Sequence, residues 1–88
     1  MLEPIRKKSF KKDVKSLVKR KKDMEKLKEA IILLVNEVAL DPSYNNHPLI
    51  GDYAGNMECH LEPDWLLVYR IENKYLYLVR TGTHSDLF

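Results

Sequence analysis

The chain has a single cysteine, Cys59, among its 88 residues. This excludes an internal disulfide and any metal site built on paired cysteines. It has three glycines and four prolines, and no repeat or low-complexity linker. Its longest unbroken apolar run goes only from Ala30 to Val35. A membrane span needs about 20 residues. The opening "MLEPIRKK" holds no apolar signal region. These absences point to a cytoplasmic protein that does not touch a membrane. At this length one domain, 1–88, is expected, with a core large enough for a stable fold.

What is abundant is charge, at 32% of residues. The net value of +2 hides a polarity. Residues 1–30 carry twelve basic and five acidic side chains, and residues 31–88 carry three basic and eight acidic ones. The first half is therefore suited to a polyanion, although the same lysines also fit a solvated helix face.

Spacing sets the elements. "LEPIRKK" fits a short opening strand. Phe10, Val14, Leu17 and Val18 form one apolar stripe on a helix, with Ser9 as its N-cap. Met24, Leu27, Ala30, Ile31, Leu34, Val35 and Val38 keep the helical period after a second cap, Asp23. The two helices form a hairpin around Arg20–Asp23, with lysines mainly outside. "DPSYNNHPLIGDYAGN" reads as an ordered loop. Three strands follow, about 56–61, 65–71 and 75–80, broken at Pro63–Asp64 and turned at Glu72–Lys74. Trp65, Leu67, Tyr69 and Ile71 share one strand face, and Leu66 and Val68 the other. The expected class is α+β in the order βααβββ: a small, mostly antiparallel sheet with the helical hairpin on one face. The opposite face is expected to be free, with chemistry at its rim.

The candidate site lies around "ECHLEPDWLLVYR". His47 falls in the loop, His60 at a strand end and His84 just past the last strand, none of them in a helix. Asp64 and Arg80 flank the same strand ends. Zinc held by imidazoles and a carboxylate is one chemistry open to this set, but the intervals between the histidines match no short metal motif. Acid–base work is the other. Imidazole titrates near pH 6.5, so one ring can accept a proton while another donates one. With Arg80 as a fixed cation, the set suits RNA cleavage by the substrate's own 2′-hydroxyl. Glu58 shares a strand face with His60, where it either orients the imidazole or is solvated. Cys59 points the other way, into packing.

Taken together, "HPLIG", "ECHLEPDWLLVYRI" and "RTGTHSDLF", with "FKKDVKSL" and "KDMEKLKEAI", resemble the YafQ branch of the RelE/ParE superfamily of type II toxins. The resemblance covers nearly the whole chain. It implies a RelE-like fold and a metal-independent mRNA endonuclease without a cofactor, associated with the ribosome and neutralised by a cognate antitoxin. DNA would be met only through the toxin–antitoxin complex. Position by position, it places catalytic groups on His47, His60, Asp64 and His84, a phosphate-contacting arginine on Arg80 and a terminal aromatic on Phe88. The expected substrate contacts are Arg80, Phe88 and, from its place beside His60, Glu58. Ile50 departs from the pattern, where the branch often has a basic or polar residue. So do Asn56 and Met57, where it often has an aromatic–arginine pair. The contrasting reading is a ParE-like binder that traps a topoisomerase. Such a binder has no need of three imidazoles and an aspartate at one rim.

Overall fold

The computed structural model describes all residues, 1–88. The elements are β1 (Glu3–Arg6), α1 (Lys8–Lys19), α2 (Met24–Val35), β2 (His47–Pro48), β3 (Met57–Glu62), β4 (Trp65–Glu72), β5 (Tyr75–Gly82) and α3 (His84–Leu87). They build one five-stranded sheet in the order β1-β5-β4-β3-β2. Only β1 runs parallel to its neighbour, β5. As an edge strand it tolerates Pro4, whose nitrogen has no proton to donate. No helix is long and apolar enough to cross a membrane.

The α+β order agrees with the sequence reading, with two added elements and several shifted ends. The loop contains a two-residue strand, β2, so His47 belongs to the sheet. The tail contains one helical turn, and His84 opens it. Asp23 does cap α2, accepting from the Glu25 amide at 3.2 Å. Ser9 does not cap α1, which begins one residue earlier. Its hydroxyl instead donates to the Val79 carbonyl at 2.8 Å. The second helix stops at Val35, and Val38 lies beyond it, exposed.

The core lies between the hairpin and one sheet face. Phe10, Leu17, Leu27, Ala30 and Leu34 meet Cys59, Trp65, Leu67, Tyr69, Leu76 and Leu78 there. Ile71 follows the same alternation but is exposed. Trp65 is fully buried, and its indole donates to the Thr81 hydroxyl at 3.0 Å. That hydroxyl donates onward to the Leu66 carbonyl at 2.8 Å, so both buried polar groups are satisfied. The other face is less open than expected. Leu66 and Val68 are covered there by Leu87, with Leu49, Tyr53 and Val79 around them.

Helix α1 also closes an edge of the sheet. Pairing between β1 and β5 stops at Arg6 and Leu78. From there the Lys7 amide bonds the Leu78 carbonyl, Ser9 takes the Val79 carbonyl, and the Asp13 carboxylate accepts from the Thr81 amide. Side chains of a helix thus stand in for the missing strand, and the backbone groups of β5 stay paired.

Candidate active site

One irregularity places the basic member of the site. In the ladder between β4 and β5, Val68 pairs with Arg80 and Tyr69 with Leu78, so Val79 is an extra residue. Such a bulge inverts the side-chain alternation beyond it. Leu76 and Leu78 face the core, and strict alternation would send Arg80 there too. The bulge turns Arg80 to the opposite face. A row then crosses the sheet through paired positions: His47 to Glu58, Glu58 to Val68, Val68 to Arg80. The next row holds His60, Leu66 and Gly82.

Two carboxylate–imidazole groups stand on these rows. In the first, Glu58 accepts from His47 Nε2 at 2.9 Å and lies 3.3 Å from His60 Nε2. Glu58 is buried, at 5% exposure, and occupied by two rings. It is placed to orient histidines, one of the roles its strand face allowed, which differs from the substrate contact also expected of it. His47 Nδ1 faces the Pro48 carbonyl at 3.0 Å, so neither of its nitrogens turns a lone pair to a substrate. The ligand atoms of His47, Glu58 and His60 lie within 4.8 Å of one another, a donor set that can ligate a metal ion.

The second group joins the β3–β4 turn to the tail. Asp64 Oδ1 accepts from the His84 backbone amide at 3.0 Å and from its Nδ1 at 2.6 Å. The amide bond first, and the ring bond second, hold the Asp64 carboxyl below its usual value. An ionised Asp64 places the proton on Nδ1, which leaves His84 Nε2 free to take up or give a proton. The ring centroids of His60 and His84 are 6.0 Å apart, and those of His47 and His60 are 6.2 Å apart. The three imidazoles and Asp64 thus come to one rim.

The tail is fixed by its own cap. The Thr83 hydroxyl accepts from the Asp86 amide, and the Asp86 carboxylate accepts from the Thr83 amide, a reciprocal capping box. Asp86 also receives Arg20 at 2.8 Å, which lowers its pKa. Gly82 lies under this turn, and a Cβ there would meet Asp86 Oδ2 at 2.8 Å. The residue is glycine because the capping carboxylate needs the space.

Arg80 is held from several sides. Asp13 accepts from its Nε at 2.7 Å and its Nη2 at 3.1 Å. The Tyr53 hydroxyl lies 3.2 Å from Nη1. Tyr53 also packs edge-on against Phe88, with centroids 5.3 Å apart, so one tyrosine touches both the guanidinium and the exposed terminal aromatic. The sequence reading missed Asp13 and Tyr53. Asp13 had one signal: it is the only carboxylate between Arg6 and Lys22.

Not all the N-terminal basic charge is free. Lys22 and Lys26 bind Glu62 at 2.6 and 2.9 Å and pull its pKa down. Lys8, Lys11, Lys12, Lys15 and Lys19 remain exposed along α1.

The family described as "Bacterial toxin of type II toxin-antitoxin system, YafQ" matches residues 2–88. The chain is 48% identical over 80 residues to a protein of Escherichia coli named mRNA interferase toxin YafQ, covering 90% of this chain and 87% of that one. Among solved structures, the fold matches that of the E. coli DinJ–YafQ complex with a TM-score of 0.92 and 43% identity, over 100% of this chain and 99% of that one. It matches a metal-bound toxin from Helicobacter pylori with a TM-score of 0.93 and 46% identity, over the whole of both chains. With its fold shared at this level and nearly every residue inside the matched region, the chain belongs to the YafQ family of bacterial type II toxin–antitoxin toxins.

Proposed function

We propose that this toxin is an mRNA endonuclease that works by acid–base transesterification on the ribosome. The observation that carries the reading is the Asp64–His84 contact at 2.6 Å, with a second imidazole, His60, 6.0 Å away. In the reaction the RNA 2′-oxygen forms a bond to the adjacent phosphorus, and the bond from phosphorus to the 5′-oxygen breaks. One imidazole takes the 2′-hydroxyl proton and the other gives a proton to the leaving 5′-oxygen. His84, backed by Asp64, and His60, backed by Glu58, are the two partners. Arg80 and His47 face the charge that builds on the phosphate. The products carry a 2′,3′-cyclic phosphate or 3′-phosphate and a 5′-hydroxyl.

No step needs a metal. An ion bound by His47, Glu58 and His60 would occupy the imidazoles that do the work, so it would inhibit. The exposed lysines of α1 serve to hold ribosomal or messenger RNA. A cognate antitoxin, as in the E. coli DinJ–YafQ toxin–antitoxin complex, would silence the protein by covering the rim or displacing the tail.

The test is purified protein with ribosomes and a defined mRNA, with EDTA present and the cleaved ends mapped. His84→Ala should lower the rate by about 10²–10⁴. It should leave the fold intact, because the ring is half-exposed, and antitoxin binding largely so. His84→Gln keeps a polar group but cannot carry a proton near neutral pH, and should fail nearly as badly. Toxicity equal to wild type in both variants would favour a toxin that acts by binding alone.

A further inference from the structure

A recess of about 510 Å³ opens beside His60, between β3, α2 and the 3-10 turn Pro42–Tyr44. Glu29 of α2, Ser43, Tyr44 and Asn45 line it together with His60. Its floor has an unusual feature. The Leu49 amide donates to the Asn56 carbonyl at 2.9 Å, so that carbonyl faces the β2 side of β3, while the Asn56 amide turns to the Tyr53 carbonyl. Strand alternation repeats every two residues, so Glu58 and His60 present their backbone groups to the same side. Glu58 is met by His47, the first residue of β2. The register would set Asn45 against His60, but Asn45 adopts the left-handed conformation (φ 45, ψ 52) and closes the 3-10 turn Pro42–Tyr44. Asn46 then accepts from the Tyr69 hydroxyl at 2.7 Å, which holds the chain off the sheet. The alternation therefore turns the N–H and C=O of His60 to the recess side, where β2 has ended at His47 and no strand lies opposite.

An adjacent donor and acceptor in a recess call for a ligand edge with the same pattern, since backbone groups in such places are normally paired. A nucleobase offers that edge, and a flat face for the Tyr44 ring. His60 belongs both to the recess and to the imidazole pair. A base in the recess therefore lies within about one nucleotide of a phosphate between His60 and His84. We propose that the recess takes one nucleobase flanking the cleaved bond, held on the His60 backbone and discriminated by the Asn45 amide. This rests on the RNA-cleavage reading above and adds to it the element that reads sequence.

Trinucleotides with 2′-O-methyl groups bind without being cut, because the attacking oxygen is blocked. With ¹⁵N-labelled protein and each of four such trinucleotides, the His60 amide should exchange with solvent at least about tenfold more slowly for the preferred base. Shifts at His84 and Arg80 with unchanged His60 exchange would overturn the inference while sparing the cleavage reading. No shift at any of these residues would overturn it as well. On ribosomes, Asn45→Gly keeps the left-handed backbone and removes the amide. Cleavage should continue, with relative rates among substrates that differ in one nucleotide beside the cut changed about tenfold, the scale of one lost base contact. An unaltered preference in this variant, with cleavage intact, would remove Asn45 from the reading of the base. If wild type itself cleaves nothing, the broader reading falls first.

Discussion

Asp13→Ala tests the link between the sheet edge and the site. Asp13 is 15% exposed and accepts three hydrogen bonds: two from Arg80, which is 25% exposed, and one from the Thr81 amide. Removing one partner of a buried ion pair costs about 3–5 kcal/mol, because the remaining charge stays desolvated. The low end applies here, since a quarter-exposed guanidinium can regain water, so the loss should be about 3 kcal/mol. For a domain of this size that lowers the Tm by about 12–24 °C. Asp13→Asn keeps an acceptor for Thr81 and should lose about half as much. Arg80 would also lose its alignment, and misplacement of about 1 Å can cost up to 10² in rate. Circular dichroism melts, with cleavage assays at a temperature where every variant is folded, separate the two effects. A melt of Asp13→Ala within about 3 °C of wild type would refute the edge-closing role, whatever the activity.

The tail and the exposed face of α1 give further outcomes. Leu87 is 7% exposed against Leu66 and Val68, so Leu87→Ala should cost about 2–3 kcal/mol and lower cleavage even where the sheet stays folded. Deleting Phe88, which is 63% exposed, should cost less stability, and full activity of Leu87→Ala would show that the tail has no positioning role. Asp64 and Asp86 both hold α3 and both have lowered pKa values. Their contribution is complete above the unfolded carboxylate value of about 3.9 and lost as pH falls through the depressed values, so α3 should detach on acidification before the sheet melts. Amide exchange at His84 reports this, and simultaneous loss of α3 and the sheet would contradict it. Changing Lys8, Lys11, Lys12 and Lys15 to Gln should flatten the salt dependence of RNA binding by about 0.7 in log–log slope per lost contact, and an unchanged slope would leave these lysines as a solvated face.

The order of elements was legible from local pattern alone. Helical spacing from Phe10 to Val35 and alternation from Trp65 to Ile71 are written in neighbouring residues, because burial of one face imposes the period. The capping role of Asp23 and the inward turn of Cys59 followed from the same rules. The identities of His47, His60, Asp64 and His84 were legible too, as titratable groups gathered at strand ends and matched by family resemblance. Their partnerships were not. That Glu58 serves two imidazoles depends on β2, a strand of two residues too short to leave a period. That Arg80 faces the site depends on the bulge at Val79, since register is a property of two strands and not of one. That Asp13 and Ser9 bond β5 depends on where a helix falls against a sheet edge about seventy residues away in sequence. Composition and periodicity determine which surfaces are buried. Register, bulges and long-range hydrogen bonds, set only when the chain is packed, decide which polar groups meet.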